Sequence, residues 1–99
     1  MDEYLLANHH GKNKGYFLTA KVIEKRFETH EVQELISQGD FVAAITYDNY
    51  KSEIYYRCAT YAKGKTKTHI KEFFKQNGLN DTELKEVFKK GLLIKGGIN

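Results

Sequence analysis

Four histidines, one cysteine and fourteen lysines are the side chains of this 99-residue sequence whose chemistry could reach beyond packing. His9 and His10, with His30 and His69, raise the question of a metal centre. Adjacent histidines point in different directions in most backbone states, no cysteine pair supports them and no HxxxH spacing occurs, so no metal site is expected. Cys58 alternates with apolar neighbours in a β-rich run and reads as a small core residue; as a nucleophile it would need an activating neighbour. No Walker A, GxGxxG or GxSxG pattern and no carboxylate cluster is present, so neither catalysis nor a cofactor is expected.

Lysine chemistry is more promising. Residues 63–99 hold nine lysines against Glu72, Asp81, Glu83 and Glu86, whereas residues 1–62 hold seven basic against nine acidic side chains. That asymmetry points to a polyanion-facing side. Only Arg26 and Arg57 can supply a bidentate guanidinium, so phosphate contact suits the chain better than readout of guanine. Tyr47, Tyr50, Tyr55, Tyr56 and Tyr61 crowd one region and could stack on single-stranded bases with Arg57 and Lys51, or form cross-strand pairs or a protein contact.

The composition, 40% apolar and 29% charged, belongs to one globular domain with a modest core. No apolar run is long enough for a bilayer, and the acidic start Met1-Asp2-Glu3 does not read as a secretory signal, so a cytoplasmic address and no membrane partner are expected. Residues 1–15 read as an N-terminal segment, either a first helical turn or a short strand, followed by the basic arm "NHHGKNKG"; residues 16–99 form the domain. Residues 16–27 fit a strand by the alternation of Tyr16, Leu18, Ala20 and Val22, and a helix by Ala20, Ile23 and Phe27. Thr29 as cap, the stripe Val32, Leu35 and Ile36, and Gly39 at the C-terminus predict a helix over 30–38.

Two β-rich runs, 41–47 and 53–61, enclose a polar loop and predict a hairpin. A glycine-containing connector, 62–67, carries Lys63, Lys65 and Lys67. Ile70, Phe73 and Phe74 then mark a helix ended by Gly78. Asn80 with Glu83 forms a capping-box pattern opening a second helix ended by Gly91, and Leu92-Leu93-Ile94 returns as an edge strand.

The helix pair around Gly78 resembles a helix-turn-helix, with Phe73, Leu79, Leu84 and Val87 at its buried positions. Phe74, where a small residue usually sits, and Asn77, where an apolar one does, depart from the pattern. With the hairpin, the chain resembles a winged-helix DNA-binding domain: α+β, a helix-turn-helix pair and an antiparallel β-hairpin. A second register takes 17–27 and 29–38 as the helix pair, with the hairpin as wing.

That resemblance implies a groove-facing helix bearing Thr82, Lys85, Glu86 and Lys89, and a wing tip of Asn49, Tyr50 and Lys51. The first candidate reading helix is neutral and the second, with Glu31 and Glu34, is still less welcoming to phosphate. That shifts the expected contacts to the arm (His9, His10, Lys12, Asn13, Lys14) and to the connector lysines, which would enter A·T-rich minor grooves. The expected function is a small dimeric protein binding a specific site on double-stranded DNA, of regulatory or plasmid transfer or replication type, with a possible protein partner at that site. A different class, an inhibitor or adaptor contacting protein through the tyrosine-rich hairpin, competes with it.

Overall fold

The computed structural model describes residues 1–9 and 15–96. Six strands form one antiparallel sheet in simple sequence order: β1 (Asp2–Asn8), β2 (Gly15–Arg26), β3 (His30–Ser37), β4 (Asp40–Asp48), β5 (Glu53–Cys58) and β6 (Leu92–Gly96). Two helices, α1 (Gly64–Gln76) and α2 (Asp81–Lys90), interrupt the meander between β5 and β6 and cover one face of the sheet. The α+β class, the hairpin over 40–58, the helix pair and the returning edge strand agree with the sequence reading. No helix among the described residues is long and apolar enough to cross a membrane.

The helices expected at 17–27 and 29–38 are instead strands, which removes the second winged-helix register. β3 is flanked by β2 and β4 on its two sides. Its residues Leu35 and Ser37 face the helices, while Val32 and Ile36 lie on the uncovered face. Apolar residues on both faces blur the period of two, leaving Val32, Leu35 and Ile36 at a spacing that mimics a helical stripe. Gly39 does adopt the left-handed conformation expected of it (φ +87°), but beside Gln38 (φ +52°) in a two-residue hairpin turn rather than at a helix end.

Registered rows fix what each face carries. On the helix side, Val22, Leu35, Ala43 and Cys58 are neighbours across β2 to β5, and Ile45 pairs with Tyr56. Ile70, Phe73 and Phe74 of α1 and Leu84 and Val87 of α2 close over them as one buried cluster. The two departures from the helix-turn-helix pattern have their explanation here. Phe74 lies edge-on to Tyr56 at 5.6 Å, filling space against the sheet rather than crowding α2. The Asn77 side chain donates to the Phe73 carbonyl (2.8 Å), and the Asn77 backbone carbonyl accepts from the Tyr56 hydroxyl (3.0 Å). The helices are thus held primarily by the sheet.

Candidate nucleic-acid interface

The two helices treat their termini differently. In α2, Asn80 accepts from the Glu83 N–H (2.8 Å) and Glu83 accepts from the Asn80 N–H (2.9 Å), with Asp81 and Glu83 in the first turn and Lys89 and Lys90 in the last. That arrangement suits the helix dipole at both ends. Backbone donation from Asn80 and the Lys95 ammonium hold the Glu83 carboxyl below its ordinary value. α1 shares the basic last turn, with Lys75, but differs at its start: its first turn has no acid and no side-chain cap, and Lys63, Lys65 and Lys67 crowd its positive end. Each such lysine is unfavourable by about 0.3–1 kcal/mol in a helix considered alone. A segment that breaks a local rule its neighbour obeys is where a functional demand is to be sought.

Charges that cancel along the sequence separate in space. Every acid of α2 has a cation beside it: Asp81 with Lys75 (3.7 Å), Glu83 with Lys95 (3.1 Å) and Glu86 with Lys90 (3.1 Å). Among the described residues, Lys63, Lys65, Lys67, Lys71, Lys85 and Lys89 form no ion pair. The Lys67 ammonium sits 5.2 Å from the centre of the Phe88 ring, so the start of α1 lies beside the end of α2. Thr82, Lys85 and Lys89 are all exposed and, spaced by three and four, share one stripe of α2. The uncompensated cations thus sit on the two helices and at the α1 N-cap, with the two elements adjoining at Lys67 and Phe88.

The β1–β2 hairpin reaches the same layer. A bulge between Leu5 and Ala7 breaks its register, and bulges bend a strand. Beyond it, the Ala7 carbonyl accepts from Gln76 Nε2 (2.7 Å) and the His9 N–H donates to Glu72 Oε1 (3.3 Å). On the returning strand, Phe17 meets His69 edge-on at 4.7 Å, and Tyr16 to Thr19 share a depression of about 450 Å³ with Lys65, Thr68 and His69. His10, Lys12, Asn13 and Lys14 lie outside the described residues; the described strand ends on either side of them flank α1. The strand ends that border the arm and the start of α1, far apart in sequence, therefore lie on one side.

The proposed wing tip does not join them. Asn49, Tyr50 and Lys51 form the β4–β5 turn, whereas Thr66 of α1 bonds Ser37 and Gln38 at the opposite end of β4. Nine residues of strand separate the two ends, about 26 Å at the usual rise. That turn is organised around an acid: Asp48 accepts from the N–H groups of Tyr50 (2.9 Å) and Lys51 (3.0 Å). Lys51 N–H donation, first, holds the Asp48 carboxyl below its ordinary range. The tyrosines are also divided: Tyr56 is core, Tyr55 lies on the uncovered face with its hydroxyl on Glu53 (2.8 Å), and Tyr50 and Tyr61 sit at opposite ends.

Comparisons with protein families, curated proteins and solved structures find no match. The side chains themselves must carry the functional reading.

One contact missed by sequence reasoning ties the basic helix down. Ser37 Oγ lies 2.8 Å from His69 Nδ1, and both residues are closed to solvent, at 1% and 3% exposure, so the pair joins β3 to α1. Burial, and then the Lys65 ammonium, push the His69 pKa below its ordinary value. His30 is apart from it, stacked on Phe27 at 4.7 Å. Burial raises the Cys58 thiol to about 11, and its Sγ lies 3.6 Å from the Val87 carbonyl, which fits a packing role.

Proposed function

We propose that this protein binds double-stranded DNA through the outer surface of its helix layer. The reading rests on one observation: the start of α1, with lysines that form no ion pair among the described residues, lies beside the end of α2 at Lys67 and Phe88 and beside the β2 residues Tyr16–Thr19 at Lys65. A row of phosphates supplies what that surface lacks, namely anions at the positive end of α1 and opposite Lys85 and Lys89. In this reading α1 and α2 are the helix-turn-helix-like pair, and Thr82 on the lysine stripe of α2 is the candidate for a base edge. The role of a wing passes from the Asn49–Lys51 turn to the β1–β2 pair, and the arm residues between its strands, Asn13 included, would enter a narrow A·T-rich minor groove.

Fluorescence anisotropy with an A·T-rich duplex at two salt concentrations tests this. Six engaged lysines give a slope of about −5 in log affinity against log salt, close to a thousandfold loss between roughly 50 and 200 mM. Lys12→Glu with Lys14→Glu should weaken binding and flatten the slope, and Lys51→Glu should leave both unchanged. Equal effects from the two sets, or no binding at low salt, would remove the proposal.

A further inference from the structure

The face of the sheet without helices carries a second feature. Register places Glu3, Ile23, Glu34, Ala44, Arg57 and Leu92 in one row across all six strands. At Ala44 the row sinks, because a methyl group stands between the long side chains of Glu34 and Arg57. The resulting cleft, about 480 Å³, has Val32, Ala44 and Thr46 in its lining and two aromatic rings, Phe41 and Tyr61, at its margin. Those rings are 58% and 79% exposed. Glu34 already has a cation, Lys25 at 3.1 Å, whereas Arg57 is exposed and forms no ion pair among the described residues.

We infer that this cleft takes an unpaired nucleobase of a single-stranded nucleic acid, stacked on Phe41 and Tyr61, with the adjoining phosphate on Arg57. The rings supply faces that any base can use, and the unmatched guanidinium supplies charge complementarity to the backbone. Lys63 lies two residues beyond Tyr61, within about 7 Å of chain, so a strand leaving the cleft meets the lysines at the start of α1. A flat protein partner fits less well. A stable interface covers about 800 Å² on each side, and on this face it would have to desolvate the Lys21–Glu3 and Lys25–Glu34 pairs. A strand occupying only the aromatic margin leaves both pairs in water.

The test is anisotropy with a labelled oligothymidylate of about fifteen nucleotides, run beside the duplex titration. Phe41→Ala and Tyr61→Ala should each weaken single-strand binding by about tenfold or more without altering duplex affinity. Tyr61→Phe, which keeps the ring, should bind like the wild type. Arg57→Ala should flatten the single-strand salt slope by about 0.7. All three side chains are at the surface, and circular dichroism of each variant checks the fold. Single-strand affinity unchanged in both alanine variants, or absent at low salt, overturns the inference. So does a wild-type dimer that Phe41→Asp dissociates, because a second copy would then close the cleft.

Discussion

Lys65 carries opposing demands at the scale of a single residue. It stands in the first turn of α1, where the dipole favours an acid, and its charge helps hold His69 neutral. Lys65→Glu is therefore expected to stabilise the free protein by about 0.5 kcal/mol while weakening duplex binding; denaturant titration and anisotropy on the same sample separate the two. A change in which stability and affinity fall together would mean that the lysine serves the fold. His69 makes a second prediction. Its folded pKa lies below the unfolded value, so the unfolded chain binds protons more readily. Stability is full above the unfolded pKa, about 6.5, and is lost as pH falls through it towards the lower folded value. Urea midpoints across that range should drop with acid, and His69→Gln should remove most of the slope.

Elements differ in how far their sequences could be read. α2 was legible because its signals are local: a capping box, dipole-matched charges and Gly91 in the left-handed conformation. Asn80→Ala should cost about 1 kcal/mol in thermal or urea unfolding. The hairpin over 40–58 was legible from its two β-branched and aromatic runs and polar turn. β3 was not, because a strand with apolar residues on both faces loses its alternation. The turn that decides the matter, Gln38-Gly39, offers the same glycine that a helix end would use. Gly39→Ala should cost about 1 kcal/mol, from forcing a Cβ into the left-handed region. β2 was half legible. Its alternation made Tyr16 and Leu18 partners of Ala20 and Val22, yet Phe17 is the residue that packs, because the hairpin runs past the sheet and along α1.

At the scale of the whole molecule, the sequence exposed an excess of lysine towards its C-terminal part but not how it is distributed. The acids of α2 weaken the case for binding only when counted along the chain; in space each is matched by Lys75, Lys95 or Lys90, and the other lysines of the two helices form no ion pair among the described residues. Convergence of the β1–β2 hairpin with α1 depends on pairings across more than sixty positions, such as His9 with Glu72, and no local pattern encodes those. The same topology sends the Asn49–Lys51 turn to the far end of β4. The molecule thus has a basic helix layer, an acid-centred turn remote from it, and an uncovered sheet face with its own cleft. An amide chemical-shift titration with an A·T-rich duplex at low salt distinguishes these surfaces directly. Shifts concentrated in residues 63–71 and 82–89 and in the strand ends at His9 and Gly15–Thr19, with Asn49–Lys51 unmoved, are the expected result. Shifts centred on the Asn49–Lys51 turn, or none at all, would contradict it.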